Sequence, residues 1–200
     1  MTLVEKRVDP RVKRTRQLIQ QAFLELFAEK ESASISIQDI TDRATVNRAT
    51  FYAHFPDKYA LLDSIVRERF QQMLSQHLPP TPVWNVQSLR ALVRATFDFL
   101  GEFHHNCKPG DHQLDPLMER AIQQELAEVL LTWLKQARVA GTRPGVRLEL
   151  VVSVISWAIF GPAVQWGRYE RTPSADEMTN QVMLVITEGL IHLAPGFLPI

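Results

Sequence analysis

Apolar residues recur every three or four positions along most of this chain, which is the spacing of one face of an α-helix. In the first predicted helix, from Pro10 to about Lys30, one such stripe runs through Leu18, Ala22 and Leu26. No segment shows the convincing alternation that is typical of a β-strand. Seven further helices are predicted over residues 37–44, 48–55, 57–77, 86–106, 115–140, 146–168 and 174–193. The pattern therefore predicts an all-α protein.

Prolines divide these helices into two groups. The stretch LPPTPVWN, at residues 78–85, contains three prolines and forms a stiff break after the fourth helix. The 200 residues are enough for a small domain joined to a larger one. We assign residues 1–67 to an amino-terminal domain and residues 68–200 to a larger helical domain.

Two short helices joined by a tight turn at Thr45 indicate a helix-turn-helix in the amino-terminal domain. Ser36 and Asn47 are placed to cap the first and second of these helices. Phe51 and Phe55 lie one turn apart, so they hold the second helix against the core and turn its opposite face outward. In such a unit the second helix enters the major groove of DNA.

The outward face of this second helix carries groups that bind DNA. Arginine pairs with guanine edges and asparagine with adenine edges, which makes Arg48 and Asn47 candidates for reading bases. Thr50 lies on the same face. The groups expected to grip the flanking phosphates are Tyr52, His54 and Lys58.

Two stretches, TRQLIQQAFLELFAEK and SIQDITDRATVNRATFYAHFPDKYALLDSI, resemble the DNA-binding domain of the TetR family of transcriptional regulators. The resemblance covers roughly residues 11–67, with the family's spacing for all four helices. It implies a homodimer that binds a palindromic operator in double-stranded DNA. It also implies that the carboxy-terminal domain dimerises and binds a small effector, which most often releases a repressor from its operator; an activator is the alternative within the family.

The resemblance also assigns roles by position in this sequence. Arg48 and Thr50 match base-reading positions, and the positions that the family commonly uses on phosphates are matched by Ser36, Tyr52, His54 and Lys58. The complete set of predicted DNA-binding residues is Ser36, Thr45, Asn47, Arg48, Thr50, Tyr52, His54 and Lys58.

Three positions depart from the family's pattern. Glu31 stands where a glycine usually closes the first helix, and Ala49 replaces a frequent glycine in the recognition helix. Thr45 stands where a glycine often makes the turn between the two short helices. If Thr45 has a positive φ, this β-branched residue costs on the order of 1–3 kcal/mol there.

Charge and cysteine content narrow the class of protein. The 22 basic and 22 acidic residues cancel, so global charge does not indicate a nucleic-acid partner. The basic residues are nevertheless concentrated near the start, at Lys6, Arg7, Arg11, Lys13, Arg14 and Arg16, which is typical of a phosphate-facing arm. A single cysteine excludes an intrachain disulfide and favours a reducing compartment.

We expect a cytoplasmic protein that has no membrane partner and no cofactor. The amino end lacks the apolar core of a signal peptide. The uncharged run from Leu150 to Gln165 falls short of the roughly 20 residues that a membrane span needs, and is interpreted as a buried helix.

The larger domain is rich in aromatic residues, which favours an apolar cavity for an apolar or aromatic effector, although each of these side chains is equally compatible with an ordinary core. The candidate effector-binding residues are Phe97, Phe103, His104, Cys107, Trp133, Trp157 and Phe160.

The segment HHNCKPGDH, residues 104–112, is the one stretch with side chains suited to a transition metal. Its potential ligands are His104, His105, Cys107 and His112. Their spacing matches no common zinc pattern, which argues against a metal site. A metal-responsive regulator that uses residues 104–112 is kept as the alternative because the ligand types are suitable. An enzyme is not expected, because no nucleophile elbow, phosphate-binding glycine loop or paired metal signature occurs.

The last two predicted helices are apolar over most of their surface and indicate a dimer interface. The predicted interface residues are Leu148, Val152, Ile155, Ile159, Trp166, Val182, Ile186 and Leu190. The alternative is that the rest of the same domain covers both sides of these helices. A further alternative for the whole chain is a helical adaptor that binds protein grooves and never contacts DNA.

Overall fold

The computed structural model describes residues 9–106, 114–137, 146–168 and 172–193, with the side chains of 106 and 189–193 left aside. In these residues the chain forms eight α-helices and a short 3-10 helix at Ser32–Ser34. The helices are α1 (Pro10–Glu29), α2 (Ile37–Ala44), α3 (Arg48–His54), α4 (Lys58–His77), α5 (Val86–Asn106), α6 (Asp115–Gln136), α7 (Leu148–Arg168) and α8 (Ala175–Leu193). The all-α prediction is confirmed.

The chain divides into two compact units, and the division falls inside helices rather than at the proline-rich break. Among the described residues, the first unit comprises 9–65 and 114–117, and the second unit comprises 66–106, 118–137, 146–168 and 172–193. The predicted domain boundary, after residue 67, also lies within α4. Residues 114–117, at the start of α6, belong with the first unit although they follow α5 in sequence.

The first unit is built on α1, whose apolar stripe packs against α2. Ile19 and Phe23 of α1 are buried, as are Ile40 of α2 and Phe51 of α3. Asp9 caps α1 by accepting a hydrogen bond from the Arg11 backbone N–H at 2.9 Å, and Pro10 occupies the first turn, where the absence of an N–H costs nothing. These contacts place the two short helices of the helix-turn-helix on a fixed support.

The second unit is centred on α5, which packs against α7 and α8. Leu92 and Phe97 of α5 and Ile159 of α7 are fully buried in its core. A Cβ added to Gly167 would lie 2.9 Å from the backbone oxygen of Leu100, so the close approach of α7 to α5 at this point requires glycine. The prediction of a buried helix over residues 150–165 holds for one face only, because Leu150, Val154 and Trp157 are each more than half exposed.

Among the described helices, α7 is long and apolar enough to cross a membrane by length and composition alone. One face of α7, with Val152, Ile155 and Ile159, is buried inside the second unit. Core helices of water-exposed domains share this composition, and one such helix is weak evidence for a membrane span.

Candidate functional site

The first short helix, α2, is held at its start by a reciprocal cap. The Ser36 hydroxyl accepts a hydrogen bond from the Asp39 backbone N–H at 3.1 Å, and the Asp39 carboxylate accepts one from the Ser36 backbone N–H at 2.8 Å. The Lys30 ammonium lies 3.0 Å from the same carboxylate. The hydrogen bonds from Ser36, with help from Lys30, hold the pKa of Asp39 well below its usual range. Ser36, predicted as a phosphate contact, therefore has a structural role in this helix cap.

The turn between α2 and α3 depends on Thr45. Its φ is 55° and its ψ is 45°, so a β-branched residue occupies the left-handed region that favours glycine. Among the described residues, Thr45 is the only non-glycine residue with a positive φ. The sequence-based expectation of strain here is met by the backbone geometry, and the neighbouring Val46 backbone N–H donates to the Thr41 carbonyl at 3.0 Å.

The second short helix, α3, begins at a second side-chain cap. The Asn47 amide oxygen accepts a hydrogen bond from the Thr50 backbone N–H at 2.7 Å. A bidentate contact with adenine uses both the oxygen and the nitrogen of an asparagine amide. Because the Asn47 oxygen is engaged in the cap, the structure assigns Asn47 to holding the helix start rather than to this bidentate base contact.

The inward face of α3 is apolar, as the sequence predicts. Phe51 and Phe55 are buried, with ring centroids 6.0 Å apart, and the Arg16 guanidinium lies 4.5 Å from the centre of the Phe55 ring. The outward face exposes Arg48 and Tyr52, with Thr50 and His54 half-buried at its edges. A helix of seven residues therefore presents a polar face while two phenylalanines anchor it.

Lys58, at the start of α4, is placed differently from the prediction. Its ammonium donates hydrogen bonds to the backbone carbonyls of Ser32 and Ile35, at 3.1 and 3.0 Å. These bonds tie the segment before α2 to the first turn of α4. An ammonium has three donors, so the predicted phosphate contact is compatible only with the one donor that these two bonds leave over.

Sequence reasoning missed an ion-pair clamp between α1 and α2. The Arg43 guanidinium forms a bidentate pair with Glu29, at 2.9 and 2.8 Å, and lies 3.4 Å from Glu25. The hydrogen bonds to Glu29 raise the pKa of Arg43 above its ordinary value. Residues 14 to 18 positions apart make these pairs, so no local pattern in the sequence indicates them. Arg43 is thereby committed to the fold, and the cations left exposed at the start of α1 are Arg11, Lys13 and Arg14.

The aromatic residues predicted to bind an effector differ in their burial within the second unit. Phe97 and Phe160 are buried, whereas Trp157 is more than half exposed. Phe97 packs edge-on against Trp166 at 5.6 Å, and Trp157 packs edge-on against Phe160 at the same distance. These two ring contacts are compatible with the ordinary core that the sequence left open as an alternative.

A pocket of about 410 Å³ does occur in the second unit, between the carboxyl end of α4, the proline-rich segment and α6. Of the predicted effector residues, Trp133 lines it. The others named on the sequence, Phe97, Phe103, His104, Trp157 and Phe160, do not line this pocket. The signal that sequence reasoning overlooked is the apolar surface of prolines 79, 80 and 82, interpreted there only as a break.

The histidine-rich segment is described only in part. His104 is nearly buried, with its Nε2 atom 3.3 Å from the Glu119 carboxylate, which also accepts a 2.6 Å hydrogen bond from Arg168. Burial acts to raise the pKa of Glu119, but the neighbouring His104 imidazole and the hydrogen bond from Arg168 outweigh it and lower that pKa. No group of three potential metal ligands occurs within the described ranges. Cys107 and His112, predicted as effector or metal ligands, lie outside those ranges.

The residues predicted for the dimer interface are mostly inside the second unit. Val152, Ile155, Ile159, Val182 and Ile186 are buried within the chain itself, while Leu148 and Trp166 are half-buried. The side chain of Leu190 lies outside the described set. The interface prediction is corrected in this respect, because buried side chains are not available to a second copy. The exposed apolar residues of the same two helices are Leu150, Val154, Trp157, Leu184 and Val185.

Taken together, α2, the turn at Thr45 and α3 define a helix-turn-helix supported by α1 and α4. Residues 19–65 match the family model described as bacterial regulatory proteins, tetR family. The resemblance to this family that was expected from the sequence is therefore confirmed over these residues.

Individual relatives agree with this assignment. The HTH-type transcriptional regulator YxbF of Bacillus subtilis (strain 168) is 39% identical over 92 residues, which are 46% of this chain and 24% of YxbF. The probable acrEF/envCD operon repressor of Escherichia coli (strain K12) is 25% identical over 181 residues, or 80% of each chain. The structure of Thermus thermophilus FadR has a TM-score of 0.54 at 24% identity, over 88% of this chain and 94% of FadR. The match to YxbF spans about a quarter of that protein's length, and the likeness to FadR shows the fold.

Proposed function

We propose that this protein is a ligand-responsive transcriptional repressor that binds a palindromic operator as a homodimer. The main support is the geometry of α3, whose Phe51 and Phe55 are buried while Arg48 and Tyr52 face solvent. This arrangement leaves a short, rigid polar face of the size that enters a major groove. The exposed Arg11, Lys13 and Arg14 at the start of α1 supply positive charge for phosphates.

Roles within the proposed interface follow from the contacts above. Arg48 is the candidate for reading a base, because it is exposed on the first turn of α3. Tyr52 and Thr50 are candidates for phosphate or base contacts on the same face, and His54 lies at its edge. Ser36, Asn47 and Lys58 act first by holding the two helices and their approach, so their substitution is expected to impair DNA binding through the shape of the domain.

The homodimer is supported by apolar surface that the single chain leaves exposed. Leu150, Val154 and Trp157 recur on one face of α7, and each is more than half exposed. Leu184 and Val185 form a similar exposed patch on α8. Exposed apolar stripes on two helices are typical of protein interfaces. A symmetric dimer would set two recognition helices about 34–36 Å apart, one turn of B-DNA.

Response to a small molecule is supported by the fold and by the pocket of the second unit. The Thermus thermophilus FadR structure is of a TetR-family repressor in complex with lauroyl-CoA, so a chain of this fold holds a ligand with a long apolar part. The described residues of this chain offer a pocket of about 410 Å³ with apolar walls. We propose an effector with an apolar body, a cytoplasmic location for the protein and no catalytic activity.

Selection from random duplex oligonucleotides, at low salt, tests the proposal. We expect the wild-type protein to enrich a palindrome, and Arg48→Ala to relax the preference at one base of each half-site by about 1–3 kcal/mol. Tyr52→Phe removes only the hydroxyl and is expected to weaken binding to all sequences alike. Arg69→Ala removes an exposed arginine of α4 and serves as the matched control. Failure to enrich any duplex, by a folded protein, would overturn the proposed function.

A further inference from the structure

The pocket between α4, the proline-rich segment and α6 has apolar walls on three sides. Leu74 of α4, Val129 and Trp133 of α6 and the prolines at 79, 80 and 82 all line it. Proline rings have a fixed φ, so this rim is shaped before a ligand arrives. The volume of about 410 Å³ falls within the roughly 300–1,000 Å³ range of pockets for small organic ligands.

The charged groups that line this pocket are all acidic. Glu125 is almost completely buried, and Glu128, one turn away on α6, is largely exposed at its rim. No lysine, arginine or histidine belongs to the lining formed by the described residues. Arg67, on α4, lies 3.5 Å from Glu125 and 4.0 Å from Glu128, so one positive charge faces two negative ones. These two carboxylates and Arg67 together carry one net negative charge.

The polar contacts at the base of the pocket also join α4 to α6. The Gln71 side-chain amide donates a 2.7 Å hydrogen bond to Glu125, and Arg67, one turn earlier, hydrogen-bonds Gln124. A ligand that enters here lies against both helices and against the hydrogen bond between them. The charge of such a ligand therefore acts on the contacts that join α4 to α6.

We propose that this pocket is the effector site and that it binds an organic cation with an aromatic or apolar body. The regulatory effect of this binding rests on the proposed function. The indole of Trp133 and the prolines receive the apolar body, and the carboxylates of Glu125 and Glu128 attract the positive charge. An acyl-CoA, whose phosphates are anionic, finds no cationic partner among the described residues that line this pocket. The effector class thus differs in charge from the ligand in the FadR complex.

A pair of probes with one shape and opposite charges tests the charge preference. Tetraphenylphosphonium is a cation and tetraphenylborate its anionic counterpart, and each is titrated into the full-length protein by calorimetry without DNA. We expect the cation to bind at one site per chain and the anion to bind at least about tenfold more weakly. Equal affinity for the two probes would overturn the charge preference, and no binding of the cation would overturn the site.

Two substitutions locate the binding in this pocket. Thr132→Trp places a larger side chain at an exposed lining position of α6. Because it fills the space, it is expected to lower the affinity for the cation at least about tenfold. Glu128→Lys is expected to lower the affinity for the cation by about tenfold. Glu102→Lys makes the same charge change at an exposed position of α5 outside the lining, and should leave affinity unchanged. If thermal unfolding shows both pocket variants folded and neither weakens the cation, the assignment of the pocket is wrong.

Operator binding separates this inference from the proposed function. We expect tetraphenylphosphonium to lower the affinity of the wild-type protein for its selected duplex, and to have no such effect on Thr132→Trp. A protein that binds its operator but ignores the cation would overturn the effector site and leave the proposed function standing. A protein that binds the cation but no duplex would overturn the proposed function and leave the cation site standing.

Discussion

Each unit of this protein contains both local caps and long-range polar contacts, but the two units differ in which kind shapes the candidate site. In the first unit, the starts of three helices are closed by residues two or three positions apart: Ser36 with Asp39, Asn47 with Thr50, and Asp57 with Tyr59 and Ala60. In the second unit, the polar contacts around α6 join distant segments: Arg67 with Glu125, Gln71 with Glu125, and Arg168 with Glu119.

This difference has a functional consequence. Local caps shape α2 and α3 with few partners, so the polar face of α3 remains available to DNA. Long-range contacts in the second unit fix the distances between helices, and a pocket arises where α4, α6 and the proline-rich segment meet. A ligand that changes those distances would act on the contacts that join α4 to α6.

The largest expected effect concerns the helix packing of the second unit. Gly167→Ala places a methyl group 2.9 Å from the Leu100 backbone oxygen, and overpacking of this kind costs about 1–3 kcal/mol in the free energy of unfolding. Gly161→Ala, on the same helix, meets nothing within 4 Å and is the matched control, expected to hold or raise stability. Chemical denaturation of both variants gives the measurement. Equal losses would show that the approach of α5 and α7 is not tight at Gly167.

A smaller effect, of opposite sign, is expected in the turn of the first unit. Thr45→Gly removes the strain of a β-branched residue at a φ of 55°. The substitution is expected to raise the free energy of unfolding by about 1 kcal/mol. Thr45→Ala keeps a Cβ in the same backbone conformation, so it should give less of this gain. Denaturant midpoints of the two variants make the comparison. A Thr45→Ala gain equal to that of Thr45→Gly would mean that strain in the left-handed region is not the cause.

The smallest effect is a pH dependence in the second unit. The pKa of Glu119 is lowered below 4.5, so its contacts with Arg168 and His104 add stability above that value and lose it as pH falls through the lower folded pKa. We expect Glu119→Gln to unfold at a lower temperature than wild type at neutral pH, and the gap to narrow in acid. Glu188→Gln, at an exposed position of α8, is the control. A gap that stays constant from pH 7 to below pH 4 would contradict the role of the Glu119 charge.

The helix-turn-helix was predictable because its signals are local. Ser36 and Asn47 are capping residue types at the right offsets, and Phe51 and Phe55 recur at helical spacing, so the caps and the buried face follow from short stretches of sequence. The same local view did not reveal that Asn47 and Lys58 also hold the fold. Each has the chemistry to contact DNA, but its hydrogen bonds in the structure go to the Thr50 backbone and to the carbonyls of Ser32 and Ile35.

The interface prediction shows what helical periodicity does not indicate. On α7, the apolar positions occur on both faces, and the sequence does not state which face the same chain covers. The structure buries Val152, Ile155 and Ile159 and leaves Leu150, Val154 and Trp157 exposed, so the predicted interface fell largely on the inner face.

Helical periodicity, caps and prolines by themselves determined the eight helices of the described residues and the helix-turn-helix, because these depend on side chains within a few residues of one another. The motifs of residues 11–67 added the resemblance to the TetR family. Only the tertiary structure decided which groups meet across the chain: the Arg43–Glu29 clamp, the Lys58 anchor, the Glu119 cluster and the acidic pocket beside Trp133. Those contacts join residues that are 14 to 58 positions apart in the sequence. The packing of whole helices sets the distances between them.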